Sequence, residues 1–258
     1  MTEKLVLDHP AEGVARLTIS NPDRRGALDH EILDALAGHA RTLEERCLVI
    51  RGSGQVFSAG YDIGNLGEQS FEESAERLVA HPFNDAIEAL EAYEYPVLAA
   101  LNGHAIGGGL ELALTCDIRV AARGIRLGMP PAKLGLIYSH TGLRRFIDVC
   151  GVANTAELFY VGRNIGAERA ERMGLVNELV EPEELDEHVL DLAAEIAANA
   201  PLSLAGNKRA IRALRARPLP EEVERELVEL RESCFRSEDF REGVRAFAEK
   251  RKPVWRGR

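Results

Sequence analysis

Between Tyr95 and Leu110 the chain carries no Asp, Glu, Lys or Arg, and this stretch has two unlike halves. From Pro96 to Leu101 it is apolar throughout, as suits a strand buried on both faces. From Asn102 to Gly109 it holds four glycines, an Asn and a His. At 16 residues and this polarity the run is too short to span a bilayer. A buried strand that turns on glycines into a helix is a unit of an α/β core. An earlier stretch has the same logic. Cys47 to Arg51 is a short apolar strand, broken by Gly52-Ser53-Gly54 and followed by Val56-Phe57-Ser58-Ala59-Gly60-Tyr61-Asp62.

The flanking pattern extends this reading. Strands are expected at Lys4 to Asp8 and Val14 to Ser20, joined by a turn over His9 to Gly13. A helix follows with Ile32, Leu33, Leu36, Ala40 and Leu43 on one face. Ser70-Phe71-Glu72-Glu73 has capping-box spacing and opens a long helix to about Ala92. A short helix runs through Leu114, and Ile118 to Ala121 is a strand. Strands and helices then alternate to about Ala200. From Pro201 the tail reads as three helices, with breaks at Pro218-Leu219-Pro220 and near Ser237. The expected architecture is an α/β core of strand-strand-helix units over residues 1–200 and a helical appendage over residues 201–258.

The length of 258 residues suits one large core without staples. Residues 1–200 hold 17 Lys+Arg against 32 Asp+Glu, or −15, and residues 201–258 hold 15 against 10, or +5. So acidic a bulk disfavours nucleic-acid binding. The basic tail suits either a small anion or a solvated helix face. Four cysteines without CxxC spacing and seven scattered histidines point to reduced thiols and no metal site. The charged start, Met1-Thr2-Glu3-Lys4, is not followed by a signal-peptide core, so a cytoplasmic protein without a membrane role is expected.

The two glycine-bearing segments suggest chemistry. Small residues let a ligand approach the backbone, and the first N–H groups of a helix have no internal partner. Two such groups converging from separate turns make an oxyanion hole, with Ala59 and Gly108 as the natural candidates. Three consecutive glycines also serve plain helix-on-strand packing, and neither segment fits a nucleotide motif.

FSAGYD followed by NGHAIGGGLELALTCDIRVA resembles the enoyl-CoA hydratase/isomerase (crotonase) superfamily. The resemblance continues through Gly128-Met129-Pro130, Leu134-Gly135-Leu136, the run from Ala170 to Asn177 and the ending Glu249-Lys250-Arg251-Lys252-Pro253. It implies a spiral of ββα units with a C-terminal helical trimerisation region, assembled as a homotrimer or dimer of trimers. It implies an acyl-CoA thioester as substrate, with no cofactor beyond the coenzyme A the substrate carries. Matched positions place the oxyanion donors on Ala59 and Gly108. They set Arg25, Ala27 and Leu28 beside the CoA, with Gly26 where relatives commonly have Asn. Tyr61, Asp62 and Ile63 line the site, and Lys250 approaches CoA phosphates, in the same or a neighbouring subunit.

Enoyl-CoA hydratases of this superfamily use two glutamates. The first matches Glu111; the second position holds Pro131, which cannot carry a proton. PPAKLGLIYS is similar to the corresponding segment of the methylmalonyl-CoA decarboxylases, which have a tyrosine at the position of Tyr138. Those proteins carry a histidine where this chain has Tyr61. The first expectation is decarboxylation of a short malonyl-type thioester, with Tyr138 hydrogen-bonding the carboxylate and helping deliver a proton. The alternatives are hydration or isomerisation by Glu111 with a substitute partner such as His140, whose ordinary pKa is near neutral, and a non-catalytic acyl-CoA binder.

Overall fold

Alternating apolar patterns and short turns build two sheets, seen in a computed structural model that describes residues 4–61, 82–215, 218, 220–256 and 258. In chain order the strands are β1 (Leu5–Ala11), β2 (Val14–Ile19), β3 (Cys47–Gly52), β4 (Val56–Ser58), β5 (Val97–Leu101), β6 (His104–Ile106), β7 (Ile118–Ala122), β8 (Arg126–Gly128), β9 (Ile165–Gly166) and β10 (Glu178–Val180). One sheet has the order β1-β2-β3-β5-β7-β10 and the other β4-β6-β8-β9. Successive pairs β3/β4, β5/β6 and β7/β8 each give one strand to each sheet. This is the expected spiral of ββα units, and its repeated parallel pairing sets the active loops side by side.

β5 is buried at every position, as its unbroken apolar run requires. β1 runs to Ala11, into the expected turn, and includes Pro10. An edge strand tolerates proline because its outward N–H has no ladder partner to lose, and β1 lies at the sheet edge.

The helices are α1 (His30–Thr42), α2 (Pro82–Ala92), α3 (Gly108–Thr115), α4 (His140–Val161, kinked at Gly151), α5 (Ala167–Arg172), α6 (Leu185–Ala198), α7 (Pro201–Arg215), α8 (Glu221–Phe235) and α9 (Glu238–Ala248). α1 buries Ile32, Leu33, Leu36, Ala37 and Ala40, and Asp29 caps it through the Ile32 N–H. The expected helix start at Ser70 lies outside the described residues.

The tail forms three helices, but the last two do not stand apart. They fold back over the 3-10 turn Pro131–Leu134 and the start of α4. Cys234 Sγ donates to the Gly135 carbonyl at 2.9 Å and accepts from the Ile137 N–H at 3.3 Å. Phe235 and Phe240 stack edge-to-face, 5.2 Å between centroids, and Leu136 packs against them. The tail thus roofs part of the core of its own chain.

Candidate active site

Three parallel strands of the smaller sheet, β4, β6 and β8, end at the same edge. The segments leaving those ends carry the chemistry, as is usual at the carboxyl ends of parallel strands. From β4 the chain runs through Ala59 and Gly60 to Tyr61. From β6 it turns at Gly107 and enters α3. From β8 it passes through Pro131 to Tyr138.

The first two loops touch through their backbones. A Cβ placed on Gly60 would lie 3.1 Å from the Gly108 nitrogen. α3 sits against the end of β4 so closely that a Cβ on Gly109 would come within 2.5 Å of the Ser58 carbonyl oxygen, which explains one of the three glycines by packing. Gly108, at the first helical position, has an N–H without a hydrogen-bond partner among the described residues.

Ala59 is not the second donor expected. Its N–H bonds the Arg25 carbonyl at 3.0 Å. Gly60 then turns the chain with φ 91°, and the next N–H, that of Tyr61, has no partner among the described residues. The free pair is therefore Tyr61 and Gly108. The segment before α1 fixes this geometry. Leu28 N–H donates to the Gly60 carbonyl at 2.8 Å, and Leu28 bridges Tyr61 in parallel fashion. Ala27 and Leu28 are buried, so they shape the site through their backbone, whereas Arg25 is exposed. Asp62 and Ile63 lie outside the described residues.

Behind the two N–H groups runs a chain of polar side chains. Glu111, on α3 and only 2% exposed, accepts from the Tyr138 hydroxyl on Oε2 and from Arg145 Nη1 on Oε1 at 2.9 Å. Arg145 also binds Glu91 Oε1 through Nε at 2.8 Å. The Tyr61 and Tyr138 phenols lie close enough to influence each other's ionisation.

Burial pushes the Glu111 carboxyl above its ordinary range, against the pull of Arg145 and Tyr138. Burial and the Glu111 charge push both phenols well above theirs. Rings hold the phenols in place: Tyr61 packs edge-on to Phe83 at 4.8 Å and Tyr138 to Phe159 at 5.5 Å. Ser139 caps α4 through the Gly142 N–H at 3.1 Å and so fixes Tyr138 at the helix entrance. Gly142 makes room for the pair, because a Cβ there would fall 2.6 Å from the Tyr138 ring and 2.8 Å from Glu111 Oε1.

The structure thus brings Glu111, Tyr138, Tyr61 and Gly108 together. It sends His140 elsewhere: His140 Nε2 faces Glu224 of α8 at 3.6 Å, and both Glu111 oxygens are already occupied. Pro131 is buried in its 3-10 turn, its carbonyl accepting from Leu136. Lys250 is exposed just beyond α9, away from the small pocket lined by Tyr61, Asn84, Leu136, Ile137, Tyr138, Ser139, Arg231 and Phe235.

Sequence reasoning missed Arg145 and Arg231. Arg145 lies about one and a half turns into α4, and nothing in its sequence marks it as turning toward Glu111. Arg231 had no signal either, because only the folding-back of α8 brings it to the pocket.

Comparison with known proteins agrees with this fold. The sequence pattern of the enoyl-CoA hydratase/isomerase family matches residues 9–258. A short-chain-enoyl-CoA hydratase of Clostridium acetobutylicum is 35% identical over 93% of this chain and 92% of its own length. A 2,3-dehydroadipyl-CoA hydratase of Escherichia coli is 33% identical over 95% and 96%. Among solved structures, a methylmalonyl-CoA decarboxylase in complex with 2-nitronate-propionyl-CoA superposes with a TM-score of 0.89, at 28% identity, over the whole of both chains. With the ββα spiral, the paired glycine loops and a family match over nearly its whole length, the chain belongs to the enoyl-CoA hydratase/isomerase (crotonase) superfamily of acyl-CoA enzymes.

Proposed function

We propose that the protein decarboxylates a malonyl-type acyl-CoA thioester. The observation that carries this reading is the engagement of both Glu111 oxygens. One oxygen is held by Arg145 and the other by Tyr138, while the position of the second hydratase glutamate is Pro131. Two-carboxylate activation of water thus lacks one carboxylate and finds the other already held by Arg145 and Tyr138. Decarboxylation needs no base to begin.

In this reading the thioester oxygen accepts the Tyr61 and Gly108 N–H groups. The bond from the α-carbon to the carboxylate breaks, carbon dioxide leaves, and the electron pair moves into the thioester as an enolate. Charge grows on the oxygen as the bond breaks, so the two donors bind the transition state better than the substrate. A proton from the Tyr61–Tyr138 hydroxyl pair then reaches the α-carbon, and solvent restores it. A phenol with a raised pKa is still a far stronger acid than a thioester α-carbon. Arg145 partly neutralises Glu111, which lessens its repulsion of an anionic substrate. We further propose that the protein works as a homotrimer or dimer of trimers.

The test is mass spectrometry of malonyl-, methylmalonyl- and ethylmalonyl-CoA together with short and medium 2-enoyl-CoAs after incubation with the purified protein. Loss of carbon dioxide is expected, slowed at least ~10²-fold by Tyr138→Phe, the scale of a lost proton-transfer group. Glu111→Gln, which keeps a hydrogen-bonding partner for Tyr138, is expected to slow it less. Gain of water by an enoyl-CoA, abolished by Glu111→Gln, overturns the proposal in favour of hydration, the activity for which several relatives are named. Hydration asks Glu111 to release a partner. Retention of every ester unchanged, with binding intact, leaves a non-catalytic acyl-CoA binder.

A further inference from the structure

Arg231 lines the same pocket as Tyr61 and Tyr138, yet it takes no part in the network described above. Its Nε is buried and, among the described residues, has no hydrogen-bond partner. Its own helix offers no acid on that face: the positions three and four residues away are Leu227, Val228, Cys234 and Phe235. Arg145, the other guanidinium near the site, is already committed to Glu91 and Glu111. Arg231 therefore brings a cation with an unspent Nε donor, among the described residues, to a wall otherwise made by Leu136, Ile137 and Phe235, with Asn84 and Ser139 beside them.

We infer that Arg231 is a specificity-determining residue that reads a carboxylate on the acyl half of the thioester. The inference rests on the acyl-CoA reading of the site and narrows its substrate class. A guanidinium fits a carboxylate in a planar, two-point contact. Its apolar neighbours weaken solvent screening and strengthen that contact. Charge points the same way. Glu91, Glu111 and Arg145 together leave one surplus negative charge when both acids are ionised, which repels an anionic acyl group. Arg231 cancels it.

Two carboxylates satisfy this chemistry. One is the leaving carboxylate of a malonyl-type ester, and the other is a distal carboxylate on a dicarboxylic acyl chain. The cost to catalysis differs. A bond to the leaving carboxylate stabilises the ground state, since that charge disappears as carbon dioxide forms. A bond to a distal carboxylate persists into the transition state.

Calorimetric titration of the full-length protein with stable ligands separates the possibilities. The ligands are butyryl-CoA, glutaryl-CoA as the distal-carboxylate arm, and a 2-carboxyalkyl-CoA thioether as the malonyl-type arm. At least one carboxylate-bearing ligand is expected to bind about 10- to 100-fold more tightly than butyryl-CoA, the factor for a charged hydrogen-bonded contact. The arm that shows the preference identifies the source. Arg231→Gln is expected to abolish the preference and to change butyryl-CoA affinity far less than that of the preferred carboxylate-bearing ligand. Arg225→Gln, which removes the same charge from an exposed site on α8, is expected to preserve it. Equal affinity for all three ligands overturns the inference. So does an Arg231→Gln variant that loses butyryl-CoA binding to the same extent, because that marks a structural role. Failure of any CoA thioester to bind overturns the acyl-CoA reading itself, a result distinct from binding without preference.

Discussion

Glu111 is held between two opposed influences. Burial favours its neutral form, and Arg145 with Tyr138 favours the charged one; burial prevails, so its pKa stands above the ordinary 4.5. Between that value and the raised one, the folded protein keeps a proton that the unfolded chain has released. Stability then falls as pH rises through the window and levels off above it. Glu111→Gln has no such proton to lose. We expect the difference in melting temperature to shift in favour of the glutamine variant as pH rises from about 4.5, levelling off above the folded-state pKa. Calorimetric scans of both proteins across that range check this; parallel curves overturn it. At this scale the sequence disclosed Glu111, Tyr138 and Gly108, because each sits in a recognisable run. It offered Ala59 as the partner of Gly108, whereas the N–H left free among the described residues is that of Tyr61, two residues on. The direction of an N–H depends on the φ of Gly60 and on the Arg25 carbonyl opposite, neither of which a string of letters displays.

Helix α7 shows how the basic tail is attached. Its one buried residue is Lys208, whose Nζ lies 2.8 Å from Asp117 Oδ2 and donates to the Tyr95 carbonyl at 2.8 Å. Asp117 in turn accepts the Val97 N–H at 2.8 Å, so one carboxylate joins the tail to the start of β5. Lys208→Ala is expected to lower stability by roughly 1.5–3 kcal/mol, the range for a hydrogen bond involving a charged group, with Asp117 retaining its backbone bond. Urea unfolding measures it; a change below about 0.5 kcal/mol places Lys208 among ordinary surface residues. The helix periods and proline breaks of the tail were readable in its sequence. The docking of α8 and α9 was not, because it relies on contacts between residues about 100 positions apart, such as Cys234 with Gly135 and Ile137. That docking also decides which residues reach the pocket, and for that reason His140 turned out to face Glu224 and Arg231 went unnoticed.

The whole chain leaves more apolar surface in water than its core demands. Leu202 and Leu214 on α7 are 90% and 82% exposed, and Tyr160 and Val152 on α4 are 81% and 69% exposed. Single exposed apolar residues are ordinary, but α7 has nearly every side chain outward and carries several of them. Burying a leucine side chain is worth about 1.5–3 kcal/mol, so two of them per subunit contribute substantially to association. The division of charge adds to this, with an acidic bulk and a basic tail on each copy favouring contact between unlike regions. We therefore expect light scattering at micromolar concentration to give the mass of three or six chains. Replacing Leu202 and Leu214 together by glutamate is expected to shift that mass toward one chain, with far-ultraviolet circular dichroism preserved. A wild-type protein that stays monomeric across the concentration range refutes the assembly. If the mass is unchanged by the double replacement, the interface lies on another face. The hydrogen-bonded network from Glu91 through Arg145 and Glu111 to Tyr138 lies within one chain. Assembly is then expected to alter stability more than turnover, and assays of the dissociated variant distinguish the two.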